Sequence, residues 1–193
     1  DNPVKEVLAS GRIVGLANHT TLISRTGEEY RIADSGAPIK DPEGEITGVV
    51  LVFRDITEKY EMREKISQSE KRYRSLFNQM NEGVALHKIV YDESGQPVDY
   101  KFLEVNSQFE EILELERDVV LEQKATEVYD TEEPPYFERY LAVAEEEKEL
   151  EFETYFPPLD KHFHISAFAP EPGKFATVFM DITERKKTQA ALA

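Results

Sequence analysis

The chain has 193 residues, 40% of them hydrophobic, enough to bury one large core or two small ones. Its 39 acidic against 23 basic residues leave a net charge of −16, which disfavours nucleic acid and anionic membrane surfaces as partners and otherwise reads as a solubility feature. Cysteine is absent, so disulfides, thiolate metal sites and cysteine nucleophiles are excluded, which fits a cytoplasmic location.

In chain order, residues 2–10 carry Val4, Val7 and Leu8 at helical spacing and predict a short helix, broken by Gly11 and Gly15. Three strands are predicted next, over 19–24, 29–39 and 46–56, with a turn at Asp41-Pro42-Glu43-Gly44. Val49 to Phe53 is apolar enough for a central strand. Residues 56–80 contain neither Gly nor Pro and predict one helix of about six turns. In it Ile66, Tyr73 and Met80 recur every seven residues, with Met62, Ser69 and Leu76 at coiled-coil offset between them. Two readings stand: a dimerising helix that carries rotation or register change, or a solvated linker packed on its own sheet.

A second unit follows. Strands are predicted at 83–91 and 99–105, and Asn106 is placed to cap a short helix whose buried face is Phe109, Ile112 and Leu113. Short turns are expected over 119–128. Phe137, Tyr140, Leu141 and Ala144 make an amphipathic helix to about Glu147. Strands at 150–156, 162–169 and 174–182 lead into a helix from Thr183 onward. No apolar run approaches the roughly 18 residues of a membrane span. The N-terminus has neither Met nor a basic region ahead of an apolar one, so the chain is expected to be part of a longer protein, with any anchor or output domain outside it.

One stretch occurs twice: V-F-R-D-I-T-E-K at 52–59 and V-F-M-D-I-T-E-R at 178–185, each closing an apolar run and opening a charged one. Asp55 with Glu58, and Asp181 with Glu184, have the spacing of a capping box at a strand-to-helix joint. An apolar strand ending in D-I-T-E-[KR] resembles the C-terminal end of a PAS domain. The run from N-P-V-K-E-V-L to S-G-A-P-I-K-D-P-E-G-E-I-T-G-V-V-L-V-F-R-D-I-T resembles the C-terminal half of that domain, and E-S-G-Q-P-V-D-Y-K-F-L-E-V-N-S-Q-F-E-E-I-L its N-terminal pattern.

The resemblance implies an α+β chain in four parts: the C-terminal half of a PAS domain (last helix and three strands) at 1–56, a connector helix at 57–80, a complete PAS domain at 81–182, and the start of an outgoing linker helix at 183–193. It implies a five-stranded antiparallel sheet of order 2-1-5-4-3 flanked by short helices. With strand one of the first unit missing, Val49 to Phe53 would be an apolar edge, expected to pair across a homodimer or lie under a helix.

No nucleotide-binding, zinc-protease or serine-hydrolase motif is present, so no enzymatic activity is expected of this segment. Glu145, Glu146 and Glu147 point in different directions on a helix and read as a solvated face, not a cation site. Ligand sensing is the functional class that the resemblance brings forward. Cysteine-linked flavin is excluded. Haem is not expected, since residues 135–147 lack the histidine that haem-binding relatives carry there; a small metabolite remains. His162, His164 and Ser166 alternate with Phe163, Ile165 and Ala167, so the two sets face opposite ways. Either the apolar set faces the core, or His164 and Ser166 enter the pocket with Phe168 beside them. By analogy with flavin-binding relatives Phe179 would face the pocket too; His87 is a further candidate, and Phe102 and Phe109 are candidates that also suit the core. Asp55, Thr57, Asp181 and Thr183 are the signal-coupling candidates, and no metal site is expected. The reading is a sensory or signal-relay module of a multidomain signalling protein, such as a histidine kinase or diguanylate cyclase, with an output domain and a second copy as partners. The alternative is a ligand-free dimerisation or interaction module.

Overall fold

The computed structural model describes residues 3–15, 20–146 and 148–192. Asn2, His19 and Glu147, used above to bound a helix, a strand and an acidic run, lie outside the described residues. The chain forms two compact units that divide between Lys71 and Arg72. Among the described residues no helix is long and apolar enough to cross a membrane.

In the first unit α1 (Pro3–Ser10) precedes β1 (Val14–Gly15), β2 (Thr20–Ile23), β3 (Glu29–Lys40) and β4 (Ile46–Asp55). The long β3 is the centre of an antiparallel sheet. Its Ile32 pairs with both Thr20 and Asp55, and its Ser35 with both Gly15 and Val52, so β1 and β2 share one edge of β3 and β4 takes the other. The sheet therefore has four strands where three were predicted. Gly15, read from sequence as a breaker, pairs because β3 runs past the end of β2. Helix α1 packs through Val7, which is fully buried. A Cβ at Gly36 would lie 2.8 Å from the Val7 side chain, so the helix comes this close only because position 36 has no side chain.

The second unit holds the larger core. Its strands β5 (Gly83–Tyr91), β6 (Pro97–Val105), β7 (Leu150–Phe156), β8 (Lys161–Phe168) and β9 (Lys174–Asp181) form one antiparallel sheet of order β6-β5-β9-β8-β7. This is the 2-1-5-4-3 order that the resemblance implied. Helices α3 (Ser107–Leu113), α4 (Arg117–Val120), α5 (Ala125–Tyr129) and α6 (Phe137–Glu146) lie between β6 and β7 in the chain. They supply Phe109, Leu113, Val120, Tyr140 and Val143 to a core shared with Ala85, Phe102, Phe163, Ile165 and Phe175 of the sheet. A single 3₁₀ turn at Pro157–Leu159 joins β7 to β8.

Two helices leave the sheets. Helix α2 (Thr57–Asn78) follows β4 and has no buried side chain; α7 (Thr183–Ala191) follows β9. The start of the second sheet is fixed by Asn106, which is wholly buried. Its Oδ1 accepts from the Phe109 amide at 2.9 Å, the capping role expected from sequence, and from the Val84 amide at 2.9 Å. Its Nδ2 donates to the carbonyls of Phe77 and Glu82 at 3.0 and 2.9 Å. All the hydrogen-bonding capacity of one amide thus ties helix, strand and incoming segment together. Replacing Asn106 with Ala leaves buried donors and acceptors unpaired and is expected to cost at least about 2 kcal/mol, read as a lower urea midpoint at unchanged slope.

Candidate functional site

The repeated motif builds the same hydrogen-bonded joint in both units. At the first, the Asp55 carboxylate accepts from the Thr57 amide at 2.9 Å, the Ile56 amide donates to the Arg31 carbonyl at 2.8 Å, and the Thr57 hydroxyl oxygen accepts from the Arg31 amide at 2.9 Å. At the second, Asp181 accepts from the Thr183 amide at 2.8 Å, Ile182 donates to the His162 carbonyl at 2.8 Å, and the Thr183 hydroxyl accepts from the His162 amide at 2.9 Å. The aspartate caps two residues ahead, where the capping-box spacing predicted three. The ladder is the reason: Ile56 and Ile182 each continue the pairing for one more residue, so the helices begin at the threonines. Hydrogen bonds from Thr57 hold the Asp55 carboxyl below its ordinary range.

From its second joint β9 runs back along a cavity of about 50 Å³ between sheet and helices. His87, Thr177 and Phe179 line it from β5 and β9, Phe163 and Ile165 from β8, and Tyr129 and Tyr140 from the helices. Among the described residues no Asp, Glu, Lys or Arg lines it. Burial raises the hydroxyls of Tyr100, Tyr129 and Tyr140 above their ordinary range, so they keep their protons and remain donors. His87 is 3% exposed; its Nε2 stands 3.0 Å from the Thr177 hydroxyl and its Nδ1 has no hydrogen-bond partner among the described residues. The ring lies in a stack, 4.6 Å from Phe175, which in turn lies 4.8 Å from Tyr140. Burial without a counter-charge pushes the His87 pKa down to about 3, so the imidazole is neutral at ordinary pH.

Of the residues singled out from sequence, His87, Phe109 and Phe179 meet at the cavity. Phe102 is fully buried but belongs to the core beside it, edge-on to His87 at 4.8 Å. His164 and Ser166 do not enter the pocket: Phe163, Ile165 and Ala167 take the inner face, and strict alternation sends the histidine and serine outward. His164 lies against Glu151 of β7, at 2.8 Å, and Phe168 is 40% exposed. His87 and His164 are thus on opposite faces, and no metal-binding cluster occurs among the described residues.

The lining residues that were not singled out are chiefly tyrosines and Thr177. Thr177 could have been found by parity, two residues before Phe179 on the same face. Tyr129 and Tyr136 carried no such signal, because Tyr129 ends a five-residue helix and Tyr136 is placed by a left-handed turn ahead of α6. The cavity is several-fold smaller than the roughly 300–1,000 Å³ of sites for drug-sized ligands. A flavin or porphyrin ring system does not fit this arrangement.

Two family models, each described as a PAS domain, match the chain, one over residues 1–58 and the other over residues 71–151. No curated protein matches it. Among solved structures, a domain of a sensory box sensor histidine kinase/response regulator from Geobacter sulfurreducens is 18% identical at a TM-score of 0.43, over 60% of this chain and 96% of that one. The PAS domain of an HTR-like protein from Haloarcula marismortui is 16% identical at 0.43, over 64% and 99%. The PAS domain of BvgS from Bordetella pertussis is 15% identical at 0.41, over 67% and 97%.

The neutral His87 makes a prediction about pH. Its folded pKa is depressed below the ordinary 6.5, so the unfolded chain binds the extra proton. The stability it protects is complete above about pH 6.5 and falls as pH drops toward 3, by at most about 1.4 kcal/mol per unit for one proton. Urea titrations of wild type and His87→Gln between pH 7 and 4 should diverge in slope by part of that amount, the wild type being the steeper.

Proposed function

We propose a function from the premise that the chain belongs to the PAS domain family: it is a sensory module whose second unit takes up a small molecule at the aromatic cavity and passes the change to α7. The observation that carries this is that cavity and joint share two strands. Phe163 and Phe179 line the cavity; the neighbouring His162 and the nearby Asp181 belong to the joint, and Phe163 pairs directly with Asp181. A ligand that displaces the Phe163 or Phe179 ring therefore strains the hydrogen bonds that start the helix. The partner in this reading is an output domain of the parent protein, of the kind that the sensor histidine kinase similarity suggests. Asp181→Ala should speed amide exchange in residues 183–191 and make the parent protein's output insensitive to its stimulus. Unchanged exchange together with unchanged signalling rejects the relay.

A second reading, association without a ligand, is favoured by α2. Met62, Ile66 and Leu76 are 65, 63 and 63% exposed, and with Ser69 and Tyr73 they fall at a/d positions; Met80, the last predicted position, lies past the end of α2 at Asn78. A parallel pair in register brings Glu58 opposite Arg63 of a second copy and Lys65 opposite Glu70, so the flanking charges are complementary. Ile66→Asp should convert a dimer into monomers by light scattering; a wild-type chain that is already monomeric at tens of micromolar rejects this reading.

A further inference from the structure

Strand β8 turns His162 and His164 toward the outer face of the sheet, where α7 begins. His164 stands between two glutamates of β7. Its Nε2 lies 2.8 Å from Glu151, and its Nδ1 lies 4.0 Å from Oε1 of Glu153, the residue opposite it in the sheet. Glu153 also holds the helix: Arg185 binds the same Oε1, and Lys186 binds Oε2 at 2.6 Å. Hydrogen bonds from Lys186 and Arg185 keep the Glu153 carboxyl below its ordinary range, so it stays ionised in mild acid. On the other side of His164, β9 places Met180, which carries no charge. His162 lines a cleft beneath α7 with Tyr155, Asp160, Thr183, Lys186 and Lys187. The Tyr155 ring is 5.0 Å from that of His162 and its hydroxyl donates to Asp160, while Lys187 pairs with Glu184 at 3.0 Å.

We propose that His162 and His164 form a proton-operated release for α7, loosening the start of the helix as they gain protons between pH 7.5 and 5.5. Histidine is the side chain whose charge changes over this range. A neutral imidazole carries one N–H, and the approach of Nε2 to a Glu151 oxygen assigns it there. A proton added to His164 therefore goes to Nδ1 and faces the Glu153 oxygen that Arg185 occupies. Three cations then share one carboxylate. Once α7 leaves, His164 has Glu151 and Glu153 to itself, so the added proton favours the released helix. His162 acts in the same sense, adding positive charge beneath Lys186 and Lys187. The device acts on the joint directly and needs no occupant in the cavity.

The first joint is the same arrangement without the trigger. Arg31 stands where His162 does in the second joint. Its guanidinium is charged throughout the range, lies 5.1 Å over the Tyr60 ring and donates to Thr21 at 3.0 Å. Tyr60 and Glu61, three and four residues after the threonine, take the places of Lys186 and Lys187. There a permanent cation meets a ring and a carboxylate, so α2 keeps its attachment in mild acid.

The test is amide exchange of the whole chain at pH 7.5 and 5.5, corrected for the intrinsic rate, with backbone carbon shifts as a second measure of helix. Protection of residues 183–191 should fall at least about threefold on acidification, the scale of two surface ion pairs, while that of residues 57–66 stays constant. His162→Gln with His164→Gln should remove the pH dependence and leave α7 attached at both values. Glu153→Gln should loosen α7 already at pH 7.5. The proposal is overturned if α7 is equally open at both pH values, if acid tightens it, or if the double variant keeps the wild-type response. Asp181→Ala tests the joint separately: an α7 that this change loosens but pH does not rejects the release and leaves the relay standing.

Discussion

What the structure depends on most is the attachment of a helix to the end of a sheet strand at one fixed point. A backbone amide and carbonyl of the neighbouring strand, Arg31 in one unit and His162 in the other, are both taken by the residues that begin the helix. Neither group is left for water, so the helix cannot slide along the sheet without breaking two bonds at once. The aspartate before it removes one of the orphan amides of the first turn. The start of the helix is held at the end of the sheet by this arrangement rather than by surface contacts, which are individually weak.

Around the second joint the protein places an interior that is aromatic and uncharged. Rings from β5, β6, β8, β9 and α6 meet edge-on or stacked, and a histidine is buried among them as a neutral group. Such a site strengthens any hydrogen bond formed inside it and penalises any charge brought into it. It also ties the position of each ring to the next, so that displacing one is felt along the stack.

The sequence was read correctly where local rules decide. Alternation in 162–167 predicts two faces, and the buried set is the apolar one; Asn106 caps a helix as its position implies. The D-I-T stretches predicted strand-to-helix joints, although the cap falls one residue earlier than a capping box would put it, since strand pairing extends through the isoleucine. The choice of His164 and Ser166 for the pocket went against the apolar alternation beside them, and hydrophobic burial decided in favour of the phenylalanine and isoleucine.

Periodicity and turn chemistry, properties of neighbours along the chain, therefore determined which segments are strands and helices. The tertiary structure alone decided that His87 is neutral and that Tyr100, Phe102 and Phe175, from two other strands, enclose its ring. These depend on which strand lies alongside which. Pairing partners far apart in sequence are chosen by the packing of the whole sheet, and local pattern carries no record of that choice.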